Sequence, residues 1–379
     1  MRKVIQLSSF LLYVGLILID PTNTIFHLKF LAFALMMTAT FLTGRYRHYK
    51  EPYFMSIVLI LCCLLSLCMA VLIYNSDILG SVSYLSAVGA IFVFFAMSSY
   101  STDEIIIINY WCGLVLSAYI SVLLLGFLMG FLPNLYDWAM NANATIMIAK
   151  RSILGFDAYM FFYKTMPITF FAFIYALRHK KYLSVILIVT PIIYGGSRTP
   201  MLMALLIIGY VFTTRSKRLG KFLTAFFIFG GILYILSLLL SSGNRDDGDA
   251  VKFSIANDLL AQSSLFGHGV GLNYYTHERG YTSSSEVTYI EMLYHYGIML
   301  FLVVVTLFLY PFFELFKKKY SVDIRDYAFA YLLYLVNAGT NPLLMNSTGM
   351  FVYACCLMIL AKSKYSNNTR QLGYSKGML

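Results

Sequence analysis

Long apolar runs recur along almost the whole chain, at a length and spacing that a water-soluble core cannot absorb. A helix needs about 20 predominantly apolar residues to cross the hydrocarbon layer, and closed backbone hydrogen bonding makes helices the default for such runs. About twelve candidates are read from the sequence: residues 4 to 19, 25 to 43, 53 to 74, 81 to 98, 105 to 131, 157 to 177, 183 to 196, 200 to 214, 222 to 240, 287 to 313, 327 to 340 and 348 to 361. With 60% of its 379 residues apolar and only 12% charged, the chain requires a bilayer as its solvent. The expected fold is an all-α polytopic membrane protein of about twelve transmembrane helices. It forms one transmembrane domain over residues 1 to 362, with a polar tail from 363 to 379.

The net charge of +11 falls in short clusters between apolar runs, not along one face, which argues against a nucleic-acid interface and for a topological signal. Taken from an inside N-terminus, every second link is basic: Arg2 and Lys3; Arg45, Arg47 and Lys50; Arg178, Lys180 and Lys181; Arg215, Lys217, Arg218 and Lys221; Lys317 to Lys319 with Arg325; and Lys362, Lys364, Arg370 and Lys376. Both termini are therefore expected in the cytoplasm. Two long segments, about 132 to 156 and 241 to 286, are expected on the opposite side, where any chemistry would lie. Met1-Arg2-Lys3 and the following apolar stretch imitate a signal peptide, but Ile19-Asp20-Pro21-Thr22 offers no small-residue cleavage site, so the stretch reads as a retained first helix. All six cysteines lie inside apolar runs without a histidine or carboxylate at metal-ligand spacing, and no metal site or cofactor is expected.

Several residues stand out against this apolar background. Arg198 follows Gly195-Gly196-Ser197 between two runs of only about 14 residues, so a permanent, planar cation is placed at membrane depth, where it is costly unless an anion meets it. A guanidinium at such a break suits bidentate phosphate binding; the plainer reading is a side chain snorkelling to head groups. Arg245 opens the second long loop after Gly243-Asn244, Arg279 closes His277-Glu278, and Lys150 with Arg151 precedes the sixth run; each is either an anion contact or a solvated charge. Glu286 in Ser283-Ser284-Ser285-Glu286 has two compatible readings. One is the N3 partner of a Ser283 capping box; the other is a general base at the mouth of an apolar cavity. Tyr289 is expected to share its face, while Glu291 points elsewhere and anchors another helix. Val251, Ile255, Ala256, Leu259 and Leu260 recur at helical spacing, which predicts an amphipathic helix on the outer interface. Gly267-His268-Gly269-Val270-Gly271 lacks the βαβ context of a nucleotide loop and reads as a backbone turn.

In this order, Gly196-Ser197-Arg198, Gly243-Asn244-Arg245, Leu265 to Gly271, and Ser285 to Glu291 with Tyr294, Tyr296 and Gly297 resemble the bacterial O-antigen polymerase and O-antigen ligase superfamily. The motifs cover roughly residues 190 to 300. Many relatives, ligases especially, carry His-Asn where this chain has Glu286-Val287, a departure that leans toward polymerase. The Trp that often follows the Gly-Arg element is missing, Phe253 being the nearest aromatic residue. The resemblance implies a GT-C-like, metal-independent, inverting glycosyltransferase in the bacterial inner membrane. Its donor and acceptor would be undecaprenyl-pyrophosphate-linked glycans, with membrane lipids, a chain-length regulator and a flippase as further partners. Arg198 and Arg245 would hold the pyrophosphate and Glu286 would act as base, with Arg279, Arg151, Lys150, His277, Tyr281 and Tyr289 lining the substrate. The alternatives are a ligase to lipid A core and a non-enzymatic flippase of lipid-linked oligosaccharides.

Overall fold

The computed structural model describes residues 2 to 376 except 24, 45, 77, 133, 136–145, 154–155, 195–197, 216–246, 283–286 and 340–343. The chain is mostly helical. Along the first third run α1 (Arg2–Ile19), α2 (Lys29–Thr43), α3 (Lys50–Tyr74), α4 (Ile78–Gly89), a 3-10 turn (Ala90–Val93), α5 (Phe94–Met97) and α6 (Thr102–Leu128). α6 starts at a complete capping box: the Glu104 amide donates to Ser101 Oγ (3.1 Å) and the Ser101 amide donates to Glu104 Oε2 (2.6 Å). After a hairpin of β1 (Ile146–Ile153) and β2 (Phe156–Tyr163) come α7 (Thr169–Arg178), α8 (Tyr182–Tyr194) and α9 (Arg198–Arg215). The last third holds α10 (Asp247–Gln262), a short hairpin of β3 (Tyr274–Thr276) and β4 (Gly280–Thr282), α11 (Thr288–Leu315), α12 (Val322–Ala338) and α13 (Ser347–Lys376).

Among the described residues, α3, α6 and α11 are long and apolar enough to cross a membrane, and six shorter apolar helices accompany them. The expected run 222 to 240 lies outside the described residues. Side-chain contacts sort the helix ends into two sets. At one end Gln6 Nε2 donates to the Ala96 carbonyl (3.4 Å), the Arg47 amide to Ser98 Oγ (2.9 Å) and Lys362 Nζ to the Ser98 carbonyl (2.7 Å). At that same end Arg178 grips Asp326 through Nε and Nη2 (2.5 and 2.7 Å). At the other end Thr165 donates to the Leu18 carbonyl (2.8 Å), Thr348 to that of Ile17 (3.1 Å) and Tyr289 to that of Leu335 (2.8 Å). Successive long helices thus run in alternating directions, and the described basic clusters share the first end. The hairpins and α10 gather at the far end.

α13 is the central helix. From Met350 to Leu360 it is buried on every side, packed by α3, α4, α5, α6 and α11, as expected of a helix apolar all round. Small residues let its neighbours close up: a Cβ on Gly113 of α6 would stand 2.6 Å from that of Ala172 on α7.

One expectation needs correction. The fold is not purely α. Residues 157 to 163, expected as the start of the sixth span, form β2, because Ile146 and Ile148 alternate inward opposite Tyr163 and Phe161, an aromatic and β-branched pattern of period two that hydropathy merges with the helix after it. α13 runs from Ser347 to Lys376, so its last turns include the polar residues that follow Ser363. α11 starts at Thr288 with Val287 as its N-cap; Ser283 and Glu286, expected as a capping box, lie outside the described residues.

Candidate functional site

The far end is organised by a break in α11. At Gly297 the backbone turns to φ 67°, ψ 170°, a region open in practice only to glycine. The turn after α10 fills the gap. Gly267 (φ 78°) lies so close that a Cβ on it would stand 2.4 Å from the Gly297 nitrogen, and a Cβ on Gly297 would stand 2.2 Å from the Gly267 nitrogen. Gly269 (φ 95°) meets α3 in the same way, its Cβ position 2.3 Å from the Ala70 nitrogen. Hydrogen bonds close the junction: His268 and Gly269 amides donate to the Tyr294 and His295 carbonyls (3.0 and 2.9 Å), and the Val270 amide donates to Ser66 Oγ (3.1 Å). The His268 ring stacks on Tyr294 at 4.4 Å, and its burial holds the imidazole below its ordinary pKa. The glycine-rich segment is therefore a structural turn joining α3 to α11.

This junction orients an acid–imidazole pair whose imidazole is buried. His295 Nδ1 lies 2.7 Å from the Gly269 carbonyl, which only accepts, so Nδ1 carries the proton and donates. Its Nε2 then faces Glu291 Oε1 one turn earlier, at 3.8 Å. The His295 side chain is 5% exposed and that of Glu291 15%. Below them Cys63 Sγ lies 3.1 Å from Tyr296 OH, which donates to Tyr84 OH (3.3 Å). A partly open carboxylate facing an imidazole of fixed orientation is an arrangement of the general acid–base type. Sequence reasoning gave Glu291 only an anchoring role; the Glu-x-x-x-His spacing was the signal that two titratable groups share one helix face.

Beside the junction, α10 and the β3–β4 hairpin form a small second core. Ile255 and Leu259 pack on Tyr274 and Tyr294, with Val251, Val287 and Ile290 around them. The face expected to rest on the membrane is thus largely spent on protein, and only Leu260 of that set is exposed. Asp258 ties the hairpin to α10, accepting from the His277 amide (2.9 Å) and lying 2.8 Å from His277 Nδ1; these hydrogen bonds, the amide's first, hold its carboxyl below the usual value.

Of the expected site residues, Arg245 and Glu286 lie outside the described residues. Arg198 is the first residue of α9, directly after the expected break, while Lys150 and Arg151 stand on β1 opposite Tyr159 and Ala158; the side chains of all three lie outside what is described. His277 pairs with Asp258 and Arg279 sits at the hairpin turn, its amide donating to Thr276 Oγ1 (3.2 Å). Tyr281 is exposed and packs edge-on against its cross-strand partner Tyr275. Tyr289 spends its hydroxyl on Leu335 and its ring on Gly339, holding α11 to α12 at the top of an apolar cleft of about 280 Å³ that Phe301, Val305, Phe308 and Leu332 also line. Among the described residues no group of three or more His, Cys, Asp or Glu side chains gathers as a metal site would require. No family model, curated protein or solved structure matches the chain.

Proposed function

We propose that the chain is a polysaccharide polymerase for O antigen or capsule, an inverting glycosyltransferase that joins polyprenyl-pyrophosphate-linked repeat units. The observation that carries the reading is the interlock of Gly267 with Gly297: two pieces of the resembling segment, 30 residues apart in sequence, meet at one junction and leave an acid–imidazole pair beside it. Arg198 starts its helix at the same far end. The clustering of basic residues at the opposite end supports cytoplasmic termini and a periplasmic site, in the inner membrane of a bacterium.

The chemistry follows from the leaving group. A lipid pyrophosphate is already activated, so catalysis needs cations to hold the charge that develops as the anomeric C–O bond breaks; Arg198 and Arg245 supply them. The acceptor hydroxyl attacks the anomeric carbon from the opposite face, its proton passes to Glu286, and the configuration inverts while the polyprenyl pyrophosphate departs. The growing chain is the donor and a new lipid-linked repeat unit the acceptor. Deletion followed by a glycan gel tests this. A lipid core bearing a single repeat unit means polymerase. A bare core with lipid-linked polymer means ligase, and repeat units trapped in the cytoplasmic leaflet mean flippase.

A further inference from the structure

α10 carries two apolar stripes. The first, Ile255 and Leu259, is buried in the second core. The second is not covered by protein: Phe253 and Leu260, seven residues apart and so on one face, are exposed, and the chain leaving the helix exposes Leu265 and Phe266. Phe253 and Phe266 are each 67% accessible. Asn257 lies between Phe253 and Leu260 on the stripe, an amide that hydrated head groups can satisfy. Two exposed apolar pairs, one on a helix face and one in the segment that follows it, are the kind of surface that marks an interaction site.

Its place in the fold says what covers it. The Leu265 carbonyl lies 3.5 Å from the Met299 amide, and Gly267 abuts Gly297, so the turn sits where the long apolar stretch of α11 begins. Ile298, Met299 and Leu302 are exposed there, on a helix long and apolar enough to cross a membrane. Counted from Lys317 at the basic end, Gly297 stands about 30 Å away at about 1.5 Å per residue, one full hydrocarbon thickness. The turn therefore meets the far boundary of the apolar layer. Irregular backbone survives at that depth only when its polar groups are satisfied by protein. The amides of Gly267, His268, Gly269 and Val270 all donate to protein acceptors.

We infer that Phe253, Leu260, Leu265 and Phe266 insert into the lipid leaflet at the far end of the protein, making α10 and the turn after it an interfacial element of what hydropathy presents as an external loop. The occupant is bilayer lipid, because Leu265 and Phe266 adjoin the exposed apolar residues Ile298, Met299 and Leu302 of α11, and Phe253 and Leu260 lie on the helix that leads into that turn. The inference does not depend on the proposed reaction. It is tested on the full chain in phosphatidylcholine–phosphatidylglycerol vesicles, in a Cys68→Ser background that removes the one exposed native cysteine among the described residues. An environment-sensitive fluorophore is attached at Phe266→Cys and, as a second site should that variant fold poorly, at Phe253→Cys. Tyr281→Cys on the outer hairpin serves as the water-exposed reference. At positions 266 and 253 a blue-shifted emission is expected, with strong quenching by lipids carrying a nitroxide high on the acyl chain and weak quenching by aqueous iodide; position 281 should show the reverse. Iodide quenching at 266 and 253 equal to that at 281 would overturn the inference. So would protection from both quenchers, which would mean that a second protein surface covers the stripe.

Discussion

Replacing Gly297 by alanine should cost far more stability than any other glycine-to-alanine change in the long helices. Two effects add. The backbone at φ 67°, ψ 170° is a glycine conformation, and forcing a side chain into such a region costs about 1 to 3 kcal/mol. The new methyl would also stand 2.2 Å from the Gly267 nitrogen and 2.3 Å from the Phe266 carbonyl carbon, backbone atoms that cannot swing aside, and overpacking of this kind costs about 1 to 3 kcal/mol. A loss of about 2 to 6 kcal/mol is expected, with release of the turn from α11 as the first relaxation. The natural control is Gly15→Ala in α1, where nothing lies within 4 Å of the new atom; replacing a helical glycine there should change stability by less than about 1 kcal/mol and in the favourable direction. The assay is unfolding of the purified chain in mixed micelles, paired with hydrogen exchange of the His268 and Gly269 amides. Equal stability of Gly297→Ala and Gly15→Ala, with those amides still protected, would refute the interlock.

Three further outcomes are expected. Asp326→Asn removes one partner of a bidentate pair whose carboxylate is only 4% exposed, leaving Arg178 uncompensated, and should destabilise the fold by about 3 to 5 kcal/mol in the same unfolding assay; a loss under about 1 kcal/mol would show the pair to be solvated. Asp258 has a depressed pKa in the folded chain, so its hold on the hairpin is complete above the ordinary value of 3.8 and is lost as the pH falls through the lower folded value. Exchange of the His277 amide should therefore accelerate on acidification below that range, and Asp258→Asn should weaken the hold already at neutral pH; acid-independent exchange in both proteins would contradict the assignment. Because the proposed step passes the acceptor proton to Glu286, Glu291→Gln should leave the fold intact and chain extension within about tenfold of wild type, whereas a loss of about 10²-fold or more in a folded Glu291→Gln protein would move the base to the acid–imidazole pair.

Hydropathy was enough to read a mostly helical chain with long apolar helices, of which α3, α6 and α11 are long enough to cross a membrane among the described residues, because burial against lipid demands long apolar runs regardless of tertiary detail. It misjudged β2, where Phe156 to Tyr163 is as apolar as a span but pairs at period two with β1. It also could not show that Met350 to Leu360 form the centre of the bundle, since a helix apolar on all sides looks the same facing lipid or protein. The Leu265 to Gly271 segment was legible as a turn from its glycines, but its partner Gly297 was not, because a close approach between two glycines 30 residues apart leaves no local pattern. Glu291 and His295 were passed over for a related reason: one lies one turn from the other on the helix, and only the Gly269 carbonyl that orients the imidazole reveals that the two face each other. The face of α10 was read from spacing alone, and spacing does not say which of two apolar stripes meets protein.

The most direct measurement of the proposed chemistry is chain extension by the purified full-length protein in proteoliposomes, supplied with the lipid-linked repeat unit that accumulates in a deletion strain. Wild-type protein should produce a ladder of lipid-linked oligomers and release polyprenyl pyrophosphate, with and without a chelator, while folded Arg198→Ala and Glu286→Gln proteins produce neither. A ladder from Arg198→Ala equal to that of the wild type, or repeat units that cross the bilayer without ever being joined, would contradict it.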